Sequence, residues 1–286
     1  MSRNRDRLGG PASTADAPAP AVMQDTNMGG FSFVTPTEFV ELPSEGKHYA
    51  EGHPLYGETS IEIRQMTAKD EDLLTSRTLI KKGVVLDRLI QSLVVNKSIN
   101  TDSLLVGDRN AIIIAARVSG YGNEYNVEVQ CPACSETQAH TFDLNEAHIT
   151  QGDIEKATEL GVVPNKDGTY DALLPRSGVM VTFRLFTGQN EKELLSMFLD
   201  KRKNQDSKFI TRQLSEMVVA VSGNDSSEVL DYFVNNVPSR DARHLRLIFK
   251  MVTPDIDLTQ QFECAECDHT QQMEVPLTAE FFWPDG

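Results

Sequence analysis

The chain has 286 residues and a formal net charge of -15, long enough for one large domain or two small ones. Hydrophobic residues make up 40% of it, enough for a core, but no apolar run approaches the roughly 20 residues that span a bilayer, and the arginine-bearing N-terminus lacks the apolar stretch of a secretory signal. The lack of both points to a soluble protein, made and used in a reducing cytoplasm or inside a particle assembled there, and a chain this acidic disfavours a duplex as partner.

In chain order, residues 1–30 are rich in Ala, Pro, Gly, Ser and Asn and read as a disordered tail. Residues 31–57 read as an extended arm, "FVELPSEGKHYAEGHPLYGE", carrying Tyr49 and Tyr56 and lying along the core or docking on a partner. Residues 58–145 form a first half. "IEIRQMTAKDEDLL" is an alternating strand and a helix start, with Thr67 and Asp70 as a capping box. "GVVLDRLIQSLVVN" places Leu86, Leu89, Ile90 and Leu93 on one helix face, and "DRNAIIIAARV" is a further helix. "YNVEVQCPACSETQAHTFDL" is a strand, a tip holding Cys131 and Cys134, and a return strand.

Residues 146–178 read as an acidic connector with one short helix near Ile154–Leu160. A second half, 179–278, follows. "VTFRLFTGQNEKELL" is again a strand and a capped helix start, with Asn190 and Glu193 as the capping pair. "KFITRQLSEMVVAV" places Ile210, Leu214, Met217, Val218 and Val221 on one helix face. A short helix near Ser227–Asn236 and the helix "DARHLRLIFKM" precede a second hairpin, with Cys264 and Cys267 at its tip. Residues 279–286 form an aromatic tip, Phe281, Phe282 and Trp283, which packs on its own core or inserts into a neighbour. These three, with Tyr49 and Tyr56, are the candidate partner contacts. The basic runs Lys201, Arg202, Lys203 and Arg240, Arg243, Arg246 read as solvated helix faces.

The four cysteines come as two Cys-x-x-Cys tips in stretches that align without gaps. Two such tips make a tetrahedral four-thiolate site, the usual arrangement for structural Zn2+. The segment between them is far longer than that of a compact ribbon, so folding must bring them together. A redox dithiol is a poorer reading, because neither tip opens a helix in a βαβ setting. Unmetallated thiols or disulfides remain an alternative. Four thiolates leave no open position for catalytic zinc. His140, His148 and His269 read as surface residues rather than substitute ligands.

Upstream of the cysteines, Asp108 falls opposite Asp241 and the two helices opposite each other. The expected fold is therefore α+β and mostly helical, with two pseudo-repeated halves (strand, helices, thiol hairpin) joined at one four-cysteine zinc site, residues 31–286 forming one unit. No phosphate-loop glycine pattern, GxSxG or HExxH occurs, so no enzyme and no small-molecule substrate are expected.

The stretches "FVELPSEGKHY", "SIEIRQMTAKDEDLLTSRTLIKKG", "DSLLVGDRNAIIIAARVSGYG", "YNVEVQCPAC" and "VPLTAEFFWP" make the chain similar to the baseplate hub protein family of T-even-type contractile-tailed bacteriophages. The chain departs from a common knuckle pattern at Ser135 and Asp268, where glycine often follows the second cysteine. The resemblance implies a structural or assembly protein of the baseplate hub. It would act in the virion tail after assembly in the host cytoplasm, with other phage baseplate and hub proteins as partners. A zinc-ribbon regulator binding nucleic acid or polymerase is the alternative. Glu128, Glu136, Glu263, Glu266 and Asp268 around the tips argue against it.

Overall fold

The computed structural model describes residues 22–24, 34–199, 209–275 and 279–282. The described chain opens with β1 (Val22–Gln24) from the tail, β2 (Val34–Glu41) from the arm and β3 (Ser60–Arg64) at the start of the first half, which pair antiparallel in that order. Helices α1 (Ala68–Leu74), α2 (Arg77–Lys82), α3 (Val85–Leu93) and α4 (Val106–Tyr121) follow, then the hairpin β4 (Glu124–Gln130) and β5 (Thr137–Asp143). The middle of the chain supplies β6 (His148–Thr150), α5 (Ile154–Glu159), β7 (Val162–Pro164), β8 (Thr169–Leu173) and β9 (Met180–Arg184). Next come α6 (Gly188–Leu199), α7 (Phe209–Met217), β10 (Val218–Val221), α8 (Ser227–Asn236) and α9 (Ser239–Val252). The chain then forms β11 (Asp255–Asp257) and the hairpin β12 (Thr259–Glu263) and β13 (Thr270–Glu274), and a 3-10 turn covers Ala279–Phe282.

The fold is α+β but not mostly helical: 40% is helix and 28% strand, in several small sheets. Two stretches account for the difference. The segment 146–178 is more than a connector, since β7 and β8 join β9 and β10 in a four-stranded antiparallel sheet and β6 pairs with β11. The run "MVVAV" does not continue a helix. α7 stops at Met217, and Val218–Val221 pair with Val181–Phe183 of β9. β-Branched valines lose little in a strand and crowd a helix, and here a sheet edge was within reach.

Of the other local expectations, the first capping box holds and two are corrected, the position of Leu86 and the second capping pair. Thr67 N and Oγ1 both donate to Asp70 Oδ2 at 2.8 Å, closing the capping box. Leu89, Ile90 and Leu93 are fully buried on α3, while Leu86 is exposed and Asp87 turns inward instead. In the second half the capping contact is Thr187 with Asn190: Thr187 N and Oγ1 donate to Asn190 Oδ1 at 3.1 and 3.0 Å. That pair, rather than Asn190 with Glu193, occupies the place of Thr67 and Asp70.

A matched device ties each central helix to a strand turn. β2 and β8 each run into a Leu-Pro-x-x-Gly turn, Leu42–Gly46 and Leu174–Gly178, whose leucines are buried and whose glycines both sit at φ 67. That backbone region is open to glycine at little cost. Asp108, in the first turn of α4, accepts from Ser44 N at 3.0 Å, Ser44 Oγ at 2.7 Å and the Tyr49 hydroxyl at 2.6 Å. Asp241, in the first turn of α9, accepts from Arg176 N at 2.8 Å and Ser177 N at 2.9 Å. Both carboxylates are fully buried. Desolvation pushes the Asp108 carboxyl up, against the pull of its Tyr49 and Ser44 donors. Desolvation acts upward on Asp241 too, but the Ser177 and Arg176 donors outweigh it and hold that carboxyl low.

One hydrophobic cluster includes Ile63, Leu93 and Tyr125 from the first half and Phe183, Leu245 and Phe262 from the second. A charge network also crosses between them. Arg109 of α4 is buried; its Nη2 lies 2.5 Å from Asp87 Oδ1 and its Nε 3.5 Å from Glu191 Oε2 of α6. Lys192 of α6 reaches Asp102 at 2.5 Å and Asp87 at 3.4 Å. Removing one partner of a buried pair strands the other charge. Arg109→Met is therefore expected to destabilise the fold by about 3–5 kcal/mol in urea denaturation, and adding Asp87→Asn to recover part of that loss.

The arm also carries a titratable contact. His48 is buried, with Nδ1 hydrogen-bonded to the Tyr170 hydroxyl of β8. Desolvation, and then Lys47, push its pKa down from 6.5 to about 4. The unfolded chain thus takes up the proton first as pH falls. The neutral-histidine stability is complete above pH 6.5 and is lost down to about pH 4, a loss of up to about 3 kcal/mol. Thermal melts across that window are expected to show a shallower acid dependence for His48→Gln than for the wild type.

Candidate metal centre

The first hairpin is built by strict alternation. Tyr125, Val127 and Val129 face the core, and Glu124, Asn126, Glu128 and Gln130 face out. β12 does the same with Gln260 and Phe262 inward. Each tip then folds into the same knuckle. Cys131 N donates to Glu136 O at 2.8 Å and Ser135 N to Cys131 O at 2.8 Å; Cys264 N donates to His269 O at 2.9 Å and Asp268 N to Cys264 O at 3.1 Å. The residues after the second cysteines, Ser135 and Asp268, take the left-handed backbone at φ 64 and φ 51.

The two tips meet. Cys131 Sγ lies 3.8 Å from Cys267 Sγ, and Cys134 Sγ 3.7 Å from Cys264 Sγ. All four sulfurs fall within 4.8 Å of one another. A disulfide needs about 2.05 Å, so these are free thiols. Sulfurs at about 2.3 Å from a tetrahedral zinc would stand about 3.8 Å apart, which the cross-hairpin distances match. Cys131 and Cys264 are buried, while Cys134 and Cys267 reach the surface.

The knuckles aim backbone N–H groups at the sulfurs. Those of Cys134 and Ala133 pull the Cys131 thiol down to about 6. The His269 N–H favours the Cys267 thiolate, but desolvation and the three neighbouring sulfurs outweigh it and push that thiol up to about 12. Four thiolates cannot share so small a volume without a cation, and a divalent metal that displaces their protons answers that repulsion. The donor set and its spacing fit a four-coordinate metal.

Two glutamines, which the sequence reading passed over, hold the hairpins together. The Gln138 amide donates to Glu263 O at 2.9 Å and accepts from Ala265 N at 2.8 Å. The Gln260 amide donates to Asp143 O at 2.7 Å and accepts from Asp143 N at 3.1 Å. Each side chain stands in for a missing strand partner across the gap. The histidines stay out of the sulfur cluster. His140 packs edge-on to Phe142 and Phe262, with centroids 4.6 and 5.3 Å away, and His269 faces Gln271.

A family model described as T4 bacteriophage base plate protein matches residues 35–283. The chain belongs to that family. Membership places this baseplate protein in the tail baseplate of the virion. No match was found among curated proteins or among solved structures.

The candidate partner residues of the baseplate protein fall in different surroundings. Tyr49 is buried, its hydroxyl donating to Asp108 and accepting from Leu105 N at 3.0 Å. Tyr56 is exposed. Phe281 and Phe282 are buried, and Phe281 meets Tyr125 edge-on with centroids 5.3 Å apart. Trp283 lies outside the described residues, as do Lys201, Arg202, Lys203 and all of the tail 1–30 except 22–24. Arg117 of α4 secures the aromatic turn. It is fully buried, and its guanidinium donates to Phe281 O at 2.6 Å, Gly122 O at 2.5 Å and Glu124 O at 2.9 Å.

The left-handed positions yield a test. A side chain there costs about 1–2 kcal/mol, partly offset by the extra unfolded-state freedom of glycine. Ser135→Gly is expected to raise stability by up to about 1 kcal/mol in metal-loaded thermal melts. Asp268→Gly should gain less, since Asp tolerates this region better.

Proposed function

We propose that this baseplate protein is a non-catalytic structural or assembly component of the baseplate hub, and that Cys131, Cys134, Cys264 and Cys267 hold one structural zinc ion. The observation that carries the metal reading is the convergence of two sulfur pairs, 130 and 136 positions apart in the chain, at tetrahedral spacing. A zinc ion there supplies four bonds and no open coordination position. Its role is to fix the second hairpin against the first and, through them, α9 against α4. Structural zinc contributes on the order of 10 kcal/mol of apparent folding energy in small peptides. The hub assignment within the baseplate rests on the residues that resemble the hub proteins. Its neighbours are other phage structural proteins.

Elemental analysis of the purified full-length chain is expected to give one zinc per chain. Cys264→Ser should lose the metal and melt at lower temperature, and chelation of the wild type should do likewise. A Cys264→Ser variant that kept both metal and melting temperature would contradict the metal reading. The hub reading is tested separately, by deleting the gene and by mass analysis of purified tails. Failed baseplates, with the chain present at fixed copy number or acting only during assembly, are expected. Normal infective tails without the chain would refute it.

A further inference from the structure

α9 buries Asp241, Ala242, Leu245, Ile248, Phe249 and Val252. Its other side carries Arg243, Leu247 and Lys250, all exposed, with Arg246 beside them. α5 packs against this helix, with Asp153 N donating to Met251 O at 2.7 Å, and brings Lys156 to the same place. Lys156, Arg243, Arg246, Leu247 and Lys250 line one open groove of about 630 Å3, together with Asp153 and Met251. None of its four cations makes an ion pair within 4 Å among the described residues. In a chain of net charge -15, four cations against the single carboxylate of Asp153 in this groove run against the overall composition.

The matching helix shows what such a stripe can receive. Counting onward from the gripping aspartates, Arg243, Leu247 and Lys250 stand where α4 has Asn110, Ile114 and Arg117. On α4 that stripe is closed by the strand β11 and by the 3-10 turn Ala279–Phe282. Asn110 Nδ2 donates to Asp255 Oδ1, at the start of β11, at 3.0 Å, and Arg117 Nε donates to Phe281 O. Ile114 is buried beneath them, whereas Leu247 is 49% exposed. The stripe on α9 is roughly 10 Å long at 1.5 Å per residue, the reach of about three or four extended residues. Where α4 offers an amide to a carboxylate, α9 offers a guanidinium, and that bond is charge-assisted and stronger.

We infer that this stripe of α9 docks an extended acidic segment of a neighbouring baseplate protein, with a carboxylate on Arg243 and an apolar side chain over Leu247. A nucleic acid suits the groove less well. Four cations around an apolar floor are fewer than the roughly 6–10 phosphate contacts of a typical duplex binder, and the rest of the chain repels phosphate.

The test uses the full-length chain and fluorescence anisotropy with three labelled probes: a twelve-residue peptide alternating Glu with Leu and Val, its Gln-for-Glu counterpart, and an oligothymidine of equal length. The Glu peptide is expected to bind the wild type, and to bind about tenfold more weakly to Arg243→Glu/Arg246→Glu. The Gln counterpart should lose a similar factor, and Leu247→Ser should weaken the Glu peptide severalfold. Both variants change surface side chains, and unchanged thermal melts would establish that they fold. The inference is overturned if the Glu peptide does not bind, binds the variants or the Gln counterpart as tightly, or binds less tightly than the oligothymidine. It is equally overturned if sedimentation shows that the wild type self-associates through these residues.

Discussion

Two hairpin tips must find each other across nearly half of the chain before four sulfurs can share one point in space. Joining ends some 130 residues apart costs on the order of 4 kcal/mol in loop-closure entropy beyond the constant term. The strands of each hairpin recover none of it, because their pairing is local. What offsets it is everything built between the tips: the shared core, the amides of Gln138 and Gln260 and, on the proposed reading, a metal bonded to all four thiolates. On the proposed reading, such a metal acts on an arrangement that the rest of the fold has already brought close.

The buried aspartates extend the same logic to the helices. Asp108 and Asp241 each spend a carboxylate on the backbone of a Leu-Pro-x-x-Gly turn, so each helix start is pinned to a strand pair. The two halves then tie down each other's loose ends. β6, which follows the first hairpin, pairs with β11 after α9. The aromatic turn that follows the second hairpin lies on α4, held by Arg117. A buried guanidinium without a carboxylate is tolerable because three carbonyls, near the negative end of the α4 dipole, accept its protons.

How much of this could be read from the sequence depends on the range of the interaction. Alternation around Cys131 and Cys264 gave the hairpins, and Thr67 with Asp70 gave the first helix start, because those signals lie within a few residues. Val218–Val221 misled because their helical spacing looked sound, while the β9 edge that claimed them is remote in sequence. The likeness of "LPSEG" to "LPRSG" was present in the letters. It was hidden because the first turn is followed by a long excursion, through Tyr49 and Leu55, before β3 begins, while the second runs straight into β9. Gln138, Gln260 and Arg117 carried no readable signal, since an amide or a guanidinium that serves distant backbone looks like any polar residue on a strand or helix.

Position along the chain gives α9 particular leverage. Its first turn holds the β8–β9 turn through Asp241, and its last turn leads through β11 directly into the hairpin of Cys264 and Cys267. Its outer stripe is thus carried on the piece of structure that the sulfurs fix. The matching stripe on α4 is closed from within the chain and serves cohesion. On α9 the corresponding positions, Arg243, Leu247 and Lys250, stay open, so the matching positions are covered on α4 and exposed on α9. On the proposed reading the metal and the aspartates fix the geometry of the frame, and the cations of its open stripe select what it meets.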